Sequence, residues 1–214
     1  SLACVVWLLC SATLAMANIA PNPSAERVDE RGKPVGWGHY QNTPDLWGAT
    51  EEEFYTGKRC AFLKITGFGN DGYACTGLAV GETDGYTAPK GIPVKPNTTY
   101  HFSFYIAGYG FKRKITVHPW GFDEEGRNRD RTIGGIQVLP TPEWKRYVGT
   151  FTTKAGTERI ALMFFVYGLE GRDIEEGARI FVDNVYIGEG EPPQSVPPQG
   201  KKKVTVPKKA TAKD

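Results

Sequence analysis

The sequence predicts an all-β domain, folded as an antiparallel sandwich or barrel. Three observations support this prediction. Apolar residues recur with a period of two in many short runs, turns rich in Gly, Pro and Asn-Asp separate these runs, and nothing longer than a turn or two has helical periodicity. No helical segments alternate with the strands, so a parallel sheet is not indicated. With 214 residues, 40% of them hydrophobic, the chain can bury one sizeable core.

Residues 1–17 differ from the rest of the chain because they include no charged side chain. The segment SLACVVWLLCSATLAMA is apolar but short for a membrane span, and it ends in the small-x-small pattern that signal peptidase accepts. We therefore expect a secretion signal that exports the protein, to the medium, the periplasm or the cell envelope. No stable membrane span is expected after its cleavage.

Residues 18–188 hold the periodic runs and form the predicted domain. One run, RIALMFFVYG, is apolar on both of its alternating faces, which is typical of a central strand covered twice or of a strand whose second face lines a groove. The candidate strands, in chain order, are VGWGHY, CAFLKITGF, GYACTGLAV, YTAPKGIPV, TYHFSFYIAG, KRKITVHPWGF, IGGIQVL, WKRYVGTFTT, RIALMFFVYG and ARIFVDNVYIG.

Two of these strands, within residues 98–122, are predicted to form a hairpin that turns near Tyr109 and Gly110. One face would then join the core through Tyr100, Phe102, Phe104, Ile106, Ile115 and Val117. The other face would carry His101, Tyr105, His118 and Trp120. This mixture of rings and hydrogen-bonding groups is typical neither of a core nor of a solvated surface.

Residues 189–214 are rich in Pro and Lys and have no apolar period, which predicts a disordered tail or linker. The segment holds six Lys against three acidic residues, so the positive charge of the chain is local. Such a tail could attach to an anionic envelope or polysaccharide, or could lead to a further domain.

The cysteines and histidines indicate no transition-metal site. Cys60 and Cys75 lie on successive predicted strands, where a disulfide or two buried thiols are both compatible with export. The three histidines lack the paired spacing of zinc ligands.

Six segments, taken in order, resemble the carbohydrate-binding modules of families 4, 9 and 22. The resemblance implies a jelly-roll β-sandwich in which one concave sheet receives a glycan chain, with a structural Ca²⁺ at the edge and no catalysis. It also implies a linked or associated glycoside hydrolase as a partner. The segments are NPSAE (22–26), GW (36–37), TGKRCAFLKI (56–65), IPVKPNTTYHFSFYIAG (92–108), EWKRYVGTFT (143–152) and IFVDNVYIG (180–188).

A glycan site accounts for the mixed face of the predicted hairpin, because rings stack on the C–H faces of sugars and polar groups bind their hydroxyls. The resemblance places Tyr40 as an aromatic platform and His118 as a polar contact. The alternative for each ring is ordinary packing, and rings accessible in one cleft would favour the sugar. The predicted ligand-binding residues are Tyr40, Tyr105, His118, Trp120, Phe165 and Tyr167.

For calcium, the resemblance implies ligands from the first strand, the TGK turn and the last strand. Asp183 lies near the middle of its predicted strand, where an unpaired carboxylate would be costly. A salt bridge or a turn cap is the alternative to a metal. The predicted ligands are Ser24, Glu26, Gly57 and Asp183.

Two other classes of function remain at this stage. A jelly-roll glycosidase would need two facing carboxylates, whereas the acidic residues cluster in turns; the loop DEEGRNRDRT could still supply Asp123, Glu125 or Arg129. An interaction or assembly sandwich without a glycan ligand would instead bury its rings. Nucleic acid is not an expected partner, because the basic tail has no interleaved aromatic residues.

Overall fold

The computed structural model describes residues 17–131 and 133–207, so the predicted secretion signal lies outside the described residues except for Ala17. Within these ranges the chain forms twelve β-strands, and no helix there has the length and apolarity needed to cross a membrane. The strands are β1 (Trp37–Gln41), β2 (Asp45–Thr50), β3 (Cys60–Ile65), β4 (Tyr73–Val80), β5 (Ile92–Pro93), β6 (Thr99–Phe111), β7 (Ile115–Phe122), β8 (Asn128–Asp130), β9 (Ile136–Val138), β10 (Lys145–Thr152), β11 (Arg159–Glu170) and β12 (Ile174–Gly188).

The strands form two antiparallel sheets that pack as a sandwich. The seven-stranded sheet has the order β1-β4-β11-β7-β8, with β5 beside β11 and β9 beside β7, and the five-stranded sheet has the order β10-β6-β12-β3-β2. The core lies between them, where the rings of Phe104 and Phe164 meet edge to face at 4.9 Å. The predicted antiparallel β-sandwich is confirmed.

Most predicted strands are present, and the apolar run RIALMFFVYG is indeed central. It forms β11, which pairs with β4 on one side and β7 on the other. On its outer face Ala161 and Met163 are fully buried. The sequence did not predict β2 and β8, and YTAPKGIPV contributes only the two residues of β5.

The predicted hairpin of residues 98–122 is wrong. β6 lies in the five-stranded sheet between β10 and β12, whereas β7 lies in the seven-stranded sheet beside β11. The short connection between them therefore crosses from one sheet to the other. His118 and Trp120 pair with Met163 and Ala161 of β11 and have no partner on β6.

The chain beyond β12 lies along the outer face of the five-stranded sheet. We call residues 189–207 the strap. The backbone N–H of Val204 donates to Pro142 O at 2.8 Å, and the Val204 side chain is buried. The strap thus packs on the domain, because Val204 completes an apolar cluster. This packing differs from the disordered tail or linker expected for the segment. Residues 208–214 lie outside the described range.

The two sheets also separate the cysteines. Cys60 lies on β3 of the five-stranded sheet and is buried, while Cys75 lies on β4 of the seven-stranded sheet and is half-buried. Both thiols are free. The disulfide considered for this pair is therefore absent, because consecutive strands here belong to different sheets.

Candidate functional site

A line of aromatic side chains follows the outer face of the seven-stranded sheet. Phe165 of β11 pairs with Gly77 of β4, and Gly77 pairs with Tyr40 of β1. Because Gly77 has no side chain, the Tyr40 and Phe165 rings meet across it with centroids 5.6 Å apart; a Cβ there would approach Phe165 Cδ2 to 3.0 Å. We call this surface the aromatic face, and its rings are Tyr40, Tyr86, Trp120, Phe165 and Tyr167.

The rings of the aromatic face differ in exposure. Tyr167 is 69% exposed and Tyr86 57%, and Phe165 is half-buried. Phe165 and Tyr167, two residues apart on β11, stack at 5.6 Å with an interplanar angle of only 11°. Two parallel, stacked rings on a strand form an apolar platform, and its Tyr167 side is open to a ligand.

Tyr40 and Trp120 lie beneath this platform. They are only 9% and 3% exposed, so they offer no free ring face to a ligand. Trp120 instead contacts the edges of Tyr40 at 5.8 Å and Phe165 at 5.5 Å. In this structure Tyr40 and Trp120 therefore support the exposed rings.

His118 also belongs to this supporting layer. Its Nε2 accepts a hydrogen bond from Trp120 Nε1 at 3.1 Å, and its ring lies 6.1 Å from that of Phe165. Burial lowers the pKa of His118 to about 4, so the imidazole is neutral near pH 7. Since Nε2 is the acceptor, the proton lies on Nδ1, which is buried and has no partner among the described residues.

Tyr86 was missed by the sequence analysis, although a local signal was present. The preceding Asp84-Gly85 pair forms an Asx-type turn, in which Asp84 Oδ1 accepts the backbone N–H groups of Tyr86 at 2.8 Å and Thr87 at 2.7 Å. Gly85 has a φ of +90° and lies so close to Tyr40 that a side chain would overlap the ring. This turn places the Tyr86 ring 5.8 Å from Tyr40.

Arg131 was missed as well, and it brings a charge to the aromatic face. Its guanidinium carbon lies 5.5 Å from the centroid of Tyr86 and 5.7 Å from that of Trp120. Both distances are within the range of cation–π contacts. The aromatic face thus combines open rings with one cation.

The loop residues considered as catalytic groups pair with one another. Asp123 Oδ2 lies 2.9 Å from Arg127 Nε and 3.2 Å from Arg129 Nε, and Glu125 pairs with Arg127 at 2.8 Å. These ion pairs fix the turn before β8. They do not present two facing carboxylates to the aromatic face.

Tyr105 does not belong to the aromatic face, and its predicted grouping with Trp120 is wrong. Tyr105 lies on the outer face of the other sheet, stacked on Tyr55 at 3.8 Å. The strap covers it, and its hydroxyl accepts the Val196 N–H at 3.2 Å. Alternation along β6 correctly predicts that Tyr105 points outward. The face on which it lies, however, belongs to the five-stranded sheet.

Trp37 and Trp144 are both buried, in different places. Trp37 packs in the core between the sheets. Trp144 packs in the cluster under the strap, 5.9 Å from Tyr55.

The four predicted metal ligands meet near the start of β3. Asp183 of β12 is fully buried, and its Oδ2 accepts the backbone N–H groups of Tyr55 at 2.7 Å and Thr56 at 2.8 Å. Thr56 Oγ1 in turn lies 3.3 Å from Ser24 Oγ. Burial raises the pKa of Asp183 to about 6, against the opposing effect of these hydrogen bonds.

Glu26 completes this cluster. Its Oε1 accepts the N–H groups of Lys58 at 2.7 Å and Arg59 at 3.2 Å. The carboxylate lies over Gly57, whose φ of +69° and lack of a Cβ allow the approach. No group of three or more His, Cys, Asp and Glu residues close enough to hold a metal occurs in the described part of the chain.

A concavity of about 710 Å³ opens beside β1, at the edge of the sandwich. Its aromatic wall is Trp47, whose ring stacks on His39 at 5.3 Å and lies 4.3 Å from Lys33 Nζ. His39 is itself bound to Asp45 at 2.9 Å. Trp47 is therefore engaged by the protein itself, in contrast to Tyr167 and the other open rings.

A two-sheet antiparallel sandwich with open rings on one outer face is the arrangement expected of a β-sandwich carbohydrate-binding module. The sequence profile of the family described as Carbohydrate binding domain, of the 4/9 type, matches residues 42–169. The chain belongs to this family. This membership confirms the resemblance and the predicted class of function, carbohydrate binding, and it does not favour a glycan-free assembly module.

Solved structures share the fold at low sequence identity. The CBM22-1 xylan-binding domain from Paenibacillus barcinonensis Xyn10C is 16% identical, with a TM-score of 0.53 over 81% of this chain and 95% of that one. The Family 16 Carbohydrate Binding Module-2 is 17% identical, with a TM-score of 0.52 over 79% and 99%. The enzymatically active domain of Bacteriophage CBA120 tailspike protein 4 is 15% identical, with a TM-score of 0.55 over 80% of this chain, which spans 21% of that protein. A search of curated proteins found no match.

Proposed function

We propose that the aromatic face binds a chain of a β-linked plant or microbial glycan, with Phe165 and Tyr167 as its platform. The observation that carries this proposal is that these two rings are nearly parallel and that Tyr167 is largely exposed, in a chain of a carbohydrate-binding family. The C–H face of a pyranose ring is apolar and flat, so it stacks on such a pair and leaves its hydroxyls at the rim.

Polar partners for those hydroxyls lie in the same row of the sheet. Thr116 of β7 pairs with Phe165, and Gln137 of β9 pairs with Thr116 on the far side. Side chains of paired residues point to the same face of a sheet. A sugar stacked on Phe165 would thus meet a hydroxyl and an amide, which donate and accept hydrogen bonds.

The supporting layer makes this site preformed. Trp120, Tyr40 and His118 hold the platform from below, and Trp120 and His118 are hydrogen-bonded to each other. A site that is ordered before binding loses little side-chain entropy when the ligand arrives.

We also propose that the module is non-catalytic. Hydrolysis would require an acid and a second carboxylate across the scissile bond. Asp123 and Glu125 are held in ion pairs with arginines of their own turn, and Asp45 is bound to His39 and Thr76. These engaged carboxylates support binding without turnover.

The test compares the affinities of three proteins for soluble and insoluble glycans, beginning with xylans and other β-linked chains. The variant Tyr86→Ala/Tyr167→Ala removes the two most exposed rings of the aromatic face and should bind at least about tenfold more weakly than the native chain. Leu46→Ala is the matched control, since Leu46 is 57% exposed but lies on the five-stranded sheet. Equal binding by the native chain and the tyrosine variant would exclude this face as the site.

We further propose that Ca²⁺ binds near Asp183 as a structural ion. Asp183, Glu26 and Ser24 offer hard oxygen ligands, with backbone carbonyls near Gly57 as further donors. The fit rests on Asp183 itself, a fully buried carboxylate for which no Lys or Arg ion pair occurs within residues 17–131 and 133–207. A buried anion of this kind is stabilised by a cation.

Thermal unfolding with added Ca²⁺ and with a chelator tests this site. The native chain should melt several degrees higher with Ca²⁺. Glu26→Gln should lose most of that shift, whereas Glu82→Gln, a remote control, should keep it. If added Ca²⁺ does not change the melting temperature, the proposed Ca²⁺ site is wrong, and the proposed glycan site is unaffected.

Export remains part of the proposal, and it rests on residues 1–17. Mass spectrometry of the protein recovered from an exporting host should show a mature N-terminus at Asn18. A protein that retains Ser1–Ala17 inside the cell would contradict it. A linked or associated glycoside hydrolase is proposed on the family resemblance.

A further inference from the structure

We propose that the aromatic face prefers acidic glycans, chains that carry uronic acid carboxylates, and that Arg131 is the residue that recognises the carboxylate. This inference rests on the proposed glycan site and names the chemistry of its ligand. Two observations support it: Arg131 lies beside rings of the aromatic face, and it forms no ion pair with a carboxylate of the described residues.

Arg131 lies among the rings that would hold the sugar. Its guanidinium is 5.5 Å from the centre of the Tyr86 ring, which is one of the open rings, and 5.7 Å from that of Trp120, which supports the platform. Trp120 is in turn 5.5 Å from Phe165. A ligand that stacks on Phe165 and reaches Tyr86 would therefore pass beside the guanidinium.

The neighbouring arginines show why Arg131 is different. In the segment from 123 to 131, Arg127 and Arg129 both pair with Asp123, so their charges are compensated. Arg131 has no carboxylate within ion-pair distance in the described ranges of the chain. Among the described residues, its guanidinium contacts the rings of Tyr86 and Trp120.

Ring contacts leave the guanidinium free to bind an anion. A cation–π contact orients the group without using its five N–H donors, and a planar carboxylate accepts two of these donors at once. The same guanidinium also donates to hydroxyls of neutral sugars. The inference therefore concerns a preference between acidic and neutral chains of one backbone, not binding as such.

Non-specific attraction of polyanions to the lysines of the strap is the main competing explanation. Within the strap, Lys201 pairs with Glu53 and Lys203 pairs with Glu143. The strap also lies on the sheet opposite to the aromatic face. A variant at Arg131 should therefore separate the two sources of attraction.

The experiment measures the affinity of the full chain for polygalacturonate, alginate and glucuronoxylan, and for the same polymers after chemical reduction of their carboxyl groups. The native chain should bind at least one acidic polymer about tenfold more tightly than its reduced form at low salt. Arg131→Gln should lower the affinity for the acidic polymer to about that for its reduced form, so that the preference is lost, and Arg131→Lys should keep part of the preference. Arg129→Gln, which removes the same charge from an ion pair with Asp123, should behave as the native chain.

Each other outcome is informative. If the native chain binds the reduced polymers as well as the acidic ones, or if Arg131→Gln keeps the preference, this inference is wrong and the proposed function stands. Equal binding of polyglutamate would show that charge alone is responsible and would overturn the inference too. Failure to bind any polymer, acidic or neutral, would overturn the proposed function together with it.

Discussion

The outer faces of the two sheets carry similar side chains and differ in what covers them. On the aromatic face, Phe165 stacks on Tyr167 at 5.6 Å, and Tyr167 is largely exposed. On the five-stranded sheet, Tyr55 stacks on Tyr105 at 3.8 Å, and both rings are buried beneath the strap. We call this second surface the covered face; its buried residues are Tyr55, Cys60, Tyr105, Ala107, Trp144, Phe181 and Val204.

The strap accounts for the difference. It supplies an apolar side chain, Val204, and satisfies the ring hydroxyls, since Val196 O accepts the Tyr55 hydroxyl at 2.7 Å. Within residues 17–131 and 133–207, no such segment covers Tyr167, which is 69% exposed. An aromatic cluster on a sheet therefore does not by itself indicate a ligand site, because the chain itself can be the occupant.

A buried titratable group lies beneath each of the two faces. Burial raises the pKa of Asp183, which lies beneath the covered face, to about 6, and lowers that of His118, beneath the aromatic face, to about 4. Each shift favours the neutral form of its group.

The first change, Asp183→Ala, removes the anchor of the covered face. The backbone N–H groups of Tyr55 and Thr56 would lose their acceptor in a buried site, and so would that of Asn184, which lies 2.6 Å from Oδ1. The free energy of unfolding should fall by about 3–5 kcal/mol. Urea unfolding measures it, with Asp183→Asn as the milder variant that retains one acceptor. A loss below about 1 kcal/mol would show that water replaces the carboxylate.

The second change ends the chain at Glu191 and so removes residues 192–207 of the strap. The truncated protein would lose the burial of Val204 and the hydrogen bonds of the strap, and it would expose Tyr105. After subtraction of the chain entropy that is regained, the free energy of unfolding should fall by about 2–4 kcal/mol.

The control for the strap is a chain that ends at Pro207, which should be as stable as the full chain. Glycan affinity at the aromatic face should be unchanged in both truncated proteins, because the strap lies on the opposite sheet. A loss of glycan binding on removal of the strap would place the ligand site on the covered face instead.

These two faces also show how far sequence reasoning reaches. Alternation along β6 and β11 identified the inward residues and the outward rings correctly, because a period of two follows from the backbone of any strand. It could not tell to which sheet each strand belongs. Tyr105 and Trp120 were grouped on one surface, whereas the connection after β6 crosses from one sheet to the other.

Exposure was the other quantity that alternation could not supply. Trp120 and Tyr167 both point outward, yet Trp120 is covered by neighbouring rings while Tyr167 remains open. Coverage depends on segments without periodicity, such as the turn that carries Tyr86 and the strap. The segments that carry Ser24, Glu26, Gly57 and Asp183 are also far apart in the sequence, so alternation could not show that folding brings them near one another.

The third prediction concerns pH and His118. Its ordinary pKa is 6.5 and burial lowers it to about 4. Between these pH values the His118 imidazole is protonated in the unfolded chain and neutral in the folded chain. The free energy of unfolding therefore falls as pH decreases, by up to about 3 kcal/mol. Above pH 6.5 the imidazole is neutral in both states and has no effect.

The matched variant for this measurement is His118→Gln, followed by urea unfolding at about pH 7 and about pH 4.5. The native chain should lose more stability across this interval than the variant does. Asp183 acts in the opposite direction in both proteins, because its raised pKa of about 6 adds stability as pH falls towards 3.8, so it cancels in the difference. Equal losses in the two proteins would mean that His118 is solvated in solution.

The smallest effect is expected from removing one hydroxyl on each face, by Tyr105→Phe and Tyr167→Phe. The Tyr105 hydroxyl accepts the Val196 N–H at 3.2 Å beneath the strap, so its loss should cost about 1 kcal/mol in the free energy of unfolding. The Tyr167 hydroxyl belongs to a ring that is 69% exposed, and its loss should leave stability unchanged. Glycan affinity should show the reverse order, because only Tyr167 lies on the open platform. If Tyr105→Phe weakened glycan binding while Tyr167→Phe did not, the strap would be a displaceable cover, and the two faces would exchange their assigned roles.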